Sequence, residues 1–455
     1  MIIKDAIIVT ARSDAPLGHL DLNVGSIGIV DGSIRAVGPY EAVKRSCPDA
    51  AEVIECRDAD QFRYLAMPGF VDGHSHSRQM AFQGYWASGW RDKHSRPRDQ
   101  HEALDLFRWF LLEAVKAGVT FVADWPEHPQ LWNPQPLDEE LRTLGLRACL
   151  RVLLPHNRGE SWPDLPAAGA YLRQTLRGLD PRIQAGIWIP EEDKHEFNDA
   201  TLARLGHLQE AMGDERLVFQ MHLAESRKRK EACPGALRRL LDHGLIRNSG
   251  AARTVFVHAN WIEPQDVNTL IGLRDHVGVI TCPKFSDGRV APIKELLQGG
   301  VAVGLGPDVA LPDPFDLIRE LVSIHRSREE SLQISLGAAF HIATLGGARA
   351  FGLEKHIGSL EPGKDASIVL VRNPAAMDPD LFAAGDGGSR HQERVKVIER
   401  LFTRNVLRRE HVHKVILHGR VVVDQGVLLS RDYEEAIVAA GRKSALAIMK
   451  RLRPA

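Results

Sequence analysis

The chain has almost no net charge. Lys+Arg 58 stand against Asp+Glu 59, a formal −1, so no global field draws it to nucleic acid or to an anionic membrane, and a small-molecule substrate is the expected partner. It has no run of about 18 apolar residues, so no segment reads as a membrane span. It also has no leader pattern. MIIKDAIIVTARSDA lacks a basic stretch, a long apolar run and a small-residue cleavage site, and reads as a strand. Cysteine is scarce: Cys47, Cys56, Cys149, Cys233 and Cys282 are an odd set with no CxxC pair. That argues for reduced thiols in a cytoplasm and against a disulfide framework. Cys149 and Cys282 lie in apolar runs, where cysteine serves as a small core residue. No repeat of solenoid period is present.

What is present suits a large α/β enzyme. A length of 455 residues exceeds one ordinary core but fits a barrel of about 250 residues with a second layer. Residues 1–62 alternate short β-rich runs with turns, Asp31-Gly32 giving a hairpin signal. From Met67 onward, apolar runs alternate with amphipathic stretches, the mark of βα units. Eight strands are expected, at 67–76, 119–125, 147–154, 182–189, 217–225, 254–260, 277–283 and 301–308. After Ile357 the β-rich pattern returns in GSLEPGKDASIVLV and KVILHGRVVVDQG. The expected architecture is therefore α/β: a (β/α)8 TIM barrel, residues 63–357, inserted in a small discontinuous β-sandwich of residues 1–62 and 358–430. Residues 431–455 form a C-terminal helix packed on the body. The stretch 375–396, rich in Gly, Asp and Ala, reads as a mobile surface loop.

His74 and His76 end the first barrel strand in HSH, and the strand period of two sends both side chains to one face, into the barrel mouth. His222 ends the fifth strand, His258 the sixth and Asp308 the eighth. Active sites of such barrels are built from these strand ends. Imidazoles with one carboxylate suit a single divalent ion, Zn2+ ahead of Fe2+, with a position left for water. A further carboxylate must move protons to the leaving group, and Glu225 in HLAES is the candidate.

At this point the sequence resembles the amidohydrolase superfamily, in its branch of cytosine-deaminase-like enzymes, triazine hydrolases and related aminohydrolases. The resemblance rests on PGFVDGHSH, HLAES, VFVHAN, GLGPD, EPGKDASIVLV and VILHGRVVVDQG, in the family's order. It implies that His74, His76, His222 and Asp308 hold the metal and that His258 hydrogen-bonds the water or the tetrahedral intermediate. It further implies that Glu225 shuttles the proton and that Asp308 also serves as first base. Binuclear relatives carry a carboxylated lysine on the fourth strand; RIQAGIWI has none, so one ion is expected.

CPKFSD (282–287) and GPDVALPDP (306–314) depart from the branch's CPxSN and GTDG, so substrates do not transfer directly. HSHSRQ resembles the HxHxxQ of guanine deaminase and formiminoglutamate deiminase and turns Gln79 toward the substrate. Trp86, Trp90 and Trp125 are candidate walls for a planar substrate, and His156, Asn157, Arg158, Glu191 and Glu192 lie on the rim. Gln79, Trp90 and His156 are the chosen substrate contacts. The expected activity is deamination of an amidine or aromatic N-heterocycle by a homo-oligomer. A dechlorinating or cyclic-amide hydrolase and a non-catalytic metal-binding scaffold are the alternatives.

Overall fold

A computed structural model describes the chain except residues 59–60, 83–95, 126–133, 153, 155–163, 248–251, 286–288, 327–333, 375–378, 383–388 and 453–455. Two sheets organise it. One is mixed and nine-stranded, built from β1 (Ile2–Thr10), β2 (Asp21–Val30), β3 (Ser33–Gly38), β4 (Val53–Glu55) and β5 (Tyr64–Pro68), with four more strands from the far end of the chain. The other runs in unbroken sequence order through eight parallel strands: β6 (Phe70–Ser75), β7 (Val119–Asp124), β8 (Arg147–Val152), β9 (Ile183–Trp188), β10 (Leu217–Leu223), β11 (Arg253–His258), β12 (Val277–Thr281) and β13 (Ala302–Leu305). Then β14 (Ile368–Arg372), β15 (Val412–Leu417), β16 (Arg420–Asp424) and β17 (Val427–Leu428) return to the first sheet.

Interior positions of the barrel are filled by small and branched residues. Val71, Phe121, Ala123, Cys149, Val218, Val255, Val257, Ile280 and Cys282 form one buried cluster. The barrel closes at its mouth. Ser75 bridges Asp308 in parallel, the Asp308 N–H donates to the His74 carbonyl at 3.0 Å, and the His76 N–H donates to the Asp308 carbonyl at 3.2 Å. Gly306 makes this seam close, because a Cβ there would stand 2.8 Å from the His74 carbonyl oxygen. The first and last strands thus meet at the residues whose chemistry is of interest.

The small layer is one hydrogen-bonded sheet. β5 joins its halves, pairing with β1 on one side and β14 on the other. The sheet curls so that Ile3, Ile8, Ile27, Ile29, Ile34, Ile368, Leu370 and Ile416 enclose a core of their own. Its opposite face, through Ile7, Val9, Leu65, Met67 and Val369, joins the main core. The expected second β layer is thus present, its nine strands joined in one sheet that curls over this core. The segment expected as the first barrel strand divides at Gly69, with Met67 and Pro68 belonging to β5. The hairpin expected at Asp31-Gly32 turns through residues of positive φ, 48° and 77°, and the turn between β15 and β16 at His418-Gly419 does the same at 47° and 74°. Within the segment expected as a loop, residues 389–396 instead begin a helix, Ser389–Thr403, whose Ile398 and Phe402 are buried.

The helix Arg431–Leu452 lies on the helix Gln100–Lys116 and on the 3-10 turn Ser77–Phe82 that follows His76. Its face is fixed by polar contacts as well as by Ile437 and Ile448. Arg451 pairs with Glu102 at 2.8 Å, the Ser444 hydroxyl donates to Asp105 at 2.7 Å, and Lys116 pairs with Glu434 at 2.8 Å. Among the described residues no helix is long and apolar enough to cross a membrane.

Candidate metal centre

Three strand ends, those of β6, β10 and β13, bring the four predicted ligands together. His74 Nε2 and His222 Nε2 lie 3.1 Å apart, His76 Nε2 is 3.3 Å from Asp308 Oδ1, and His74 Nε2 is 3.9 Å from the same oxygen. Tetrahedral donors about 2.0–2.2 Å from a shared Zn2+ stand about 3.3 Å from one another, so these separations fit one ion. His258 Nε2 is 3.9 Å from Asp308 Oδ2, across the same space. Among the described residues, the two groups of three side chains that can hold a metal are His74, His76, His222 and His258, Cys282, Asp308, and both lie in this mouth. Burial pushes the Cys282 thiol well up, as suits its place in the barrel core.

The strands reach the mouth through strained turns. Ala224, His258, Ala259 and Asp308 have φ of 45°, 71°, 53° and 58°, in the left-handed region that L-residues seldom adopt. Cross-strand bonds hold them there: the Ala259 N–H donates to the Leu223 carbonyl at 2.9 Å and the Trp261 N–H to Ala224 at 3.0 Å. Strain of about 1–3 kcal/mol per residue, concentrated in this way, is a feature of functional sites.

Electrostatics favour ligand forms. Burial, then the neighbouring imidazoles, pushes His74 well below the usual histidine range, and burial brings His258 to about 4. Both are therefore neutral, with a nitrogen lone pair to offer. Burial would raise the Asp308 carboxyl. The hydrogen bond from His76 and the facing imidazoles outweigh it and hold the group below the ordinary carboxylate range. Behind the ligands, Asp72 accepts the His74 N–H at 3.0 Å, and Asp124 accepts the Ser77 N–H and hydroxyl, each at 2.8 Å, fixing the chain on either side of His76.

Several contributors were not given their roles by sequence reasoning. Glu191 Oε1 meets His222 Nδ1 at 2.8 Å, which leaves Nε2 for the ion. Burial opposes ionisation of Glu191, but the His222 hydrogen bond and the charges of His222, Arg229 and Lys194 prevail and set it at about 2. Its neighbour Glu192 accepts the Ala224 N–H at 2.5 Å, yet burial dominates and raises it to about 7. Arg229 pairs with Glu225 at 2.6 Å. Arg151 lies between Trp125 and Trp188, 4.7 and 5.0 Å from the ring centroids, and the Trp125 ring lies 5.0 Å from that of His222. The strand-end rule flags histidines and carboxylates only, so the arginines had no signal in it.

Gln79 follows the ligand pair in the Ser77–Phe82 turn, is 6% exposed, and among the described residues has no hydrogen-bond partner for either amide atom. Trp86, Trp90, His156, Asn157 and Arg158 lie outside the described residues.

The chain is similar to known proteins over most of its length. The chain is 28% identical over 454 residues, 94% of each chain, to a 5-methylthioadenosine/S-adenosylhomocysteine deaminase of Pelotomaculum thermopropionicum. Its fold matches an adenosine deaminase from Xanthomonas campestris with bound zinc at a TM-score of 0.76 and 20% identity, over 98% of this chain and 99% of that one. It also matches a zinc-complexed atrazine chlorohydrolase from Arthrobacter aurescens at a TM-score of 0.70 and 20% identity, over the same shares. With the amidohydrolase family model spanning residues 65–422, most of the length and every strand end just described, the chain belongs to the amidohydrolase family.

Proposed function

We propose that the chain is a deaminase holding one zinc ion and releasing ammonia from a planar, aminated N-heterocycle of the adenine type. The observation that carries this reading is the meeting of His74, His76, His222 and Asp308 at donor separations of 3.1–3.9 Å, inside a barrel mouth. An ion bound there supplies Lewis acidity, drawing the pKa of water toward about 7. Asp308, held ionised, accepts the first proton of the attacking water. His258, neutral and buried, hydrogen-bonds the oxygen through Nε2 as charge develops on it. Glu225, three residues past His222, carries a proton to the departing nitrogen. Gln79 supplies one donor and one acceptor, a match for the paired donor and acceptor of an aminopurine edge. With no lysine in β9, the site is read as holding one ion.

Aminoheterocycle substrates are favoured by the relatives' names, and release of chloride from a triazine is the second reading, favoured by the chlorohydrolase fold match. Zinc-replete protein assayed for ammonia against adenosine, 5-methylthioadenosine, S-adenosylhomocysteine and guanine, and for chloride against atrazine, separates them. Ammonia from at least one purine is expected. Glu225→Gln should lower kcat 10²–10⁴-fold with zinc content unchanged. Chloride release without any deamination would overturn the proposal.

A further inference from the structure

We infer that Arg229 is a positioning residue that locks the proton-carrying Glu225 to the carboxylate behind the metal ligand His222. Arg229 stands on the short helix Arg227–Ala232, entered through Ser226, whose hydroxyl accepts the Arg229 N–H. Its side chain is only 13% exposed and faces three carboxylates. All three are ion pairs rather than hydrogen bonds: Nη1 lies 2.6 Å from Glu225 Oε2, Nη2 lies 3.6 Å from Glu191 Oε2, and Nε lies 3.6 Å from Asp193 Oδ1. Glu191 in turn meets His222 at 2.8 Å. One guanidinium therefore spans the loops after β9 and β10 and joins the partly exposed acid to the buried one.

The physical need is plain. Glu225 is 30% exposed at the edge of the mouth, and a carboxylate with water on one side has several rotamers open to it. Proton transfer requires hydrogen-bond reach, and a misplacement of about 1 Å can cost a hundredfold in rate. The guanidinium spreads its charge over a plane that faces both carboxylates at once, as the point charge of lysine does not. The inference rests on the reading of Glu225 as proton carrier, and its second half, through Glu191 and His222, stands on the metal centre alone.

The test uses the full-length, zinc-loaded protein with Arg229→Met and Arg229→Lys, each alone and combined with Glu225→Gln. Two readouts are taken: kcat and KM for ammonia release from 5-methylthioadenosine, and the rate at which a chelator removes zinc. Arg229→Met should lower kcat about tenfold or more with KM within about threefold, and should add no loss to Glu225→Gln, since a residue acting through another is silent once that other is gone. Zinc loss should quicken about tenfold, the scale of effects behind a metal ligand. Arg229→Lys should fall between Arg229→Met and wild type on both measures, and carries the test should Arg229→Met fail to fold. Losses that multiply in the double variant, or zinc release at the wild-type rate, overturn the inference. If Glu225→Gln turns over normally, it is the proton-carrier reading that fails, and zinc release then decides the Arg229 contact to Glu191 by itself.

Discussion

The curled sheet and the barrel mouth solve opposite problems with the same kinds of residue. In the sheet, buried polar groups meet complementary ones: the Thr10 hydroxyl accepts the Leu360 N–H at 3.0 Å, and Lys364 pairs with Glu361 at 3.1 Å. In the mouth, like meets like. Two imidazole nitrogens face each other at 3.1 Å, and among the described residues the Gln79 amide has no hydrogen-bond partner. Such groups destabilise a fold unless a ligand completes them. Partners supplied from within mark structure, and partners awaited from outside mark function.

The largest expected effect breaks the mouth. His222→Ala should lose most bound metal and at least 10³-fold in turnover, by metal analysis and steady-state assay, because one of four donors disappears. Ile368→Ala tests the other side. It should cost about 2–5 kcal/mol in chemical denaturation while leaving kcat/KM unchanged. Glu191→Gln acts on the mouth from behind the ligands; it keeps shape but loses the charge behind His222, and metal affinity should fall about 10–100-fold in chelator competition.

The next effect is one of pH. Glu192 is raised to about 7 in the folded chain, above its ordinary 4.5, so the folded form holds the extra proton. Stability is then fully present below about 4.5 and declines as pH rises through about 7, by at most about 3 kcal/mol. Glu192→Gln should flatten that part of the stability profile, measured by denaturation at pH 5 and pH 8 in metal-free protein. Smallest of all, Gln79→Leu removes an unsatisfied amide and should stabilise the substrate-free protein by about 1 kcal/mol while raising KM.

Local signals carried much of the architecture. The eight parallel strands fall within a few residues of the apolar runs that announce them, and His74, His76, His222, His258 and Asp308 gather because strand ends of a barrel must. What lay beyond the sequence was long-range. Nothing in YLAMPGFVDGHS says that the chain leaves one sheet and enters another at Gly69, since both strands are apolar and continuous. Glu191 resembles any solvated rim acid until β9 and β10 are side by side, and the grip of Arg229 depends on a loop 36 residues before it in the chain. The helix beginning at Ser389 was hidden by the Gly- and Asp-rich stretch before it.

The final helix of the chain leans on the turn immediately following the first two histidines of the metal site. During synthesis, therefore, the first two histidines emerge well before the helix that completes their surroundings. Folding of the centre is in this respect non-local, and a change that lifts the helix Arg431–Leu452 should be felt at His74 and His76.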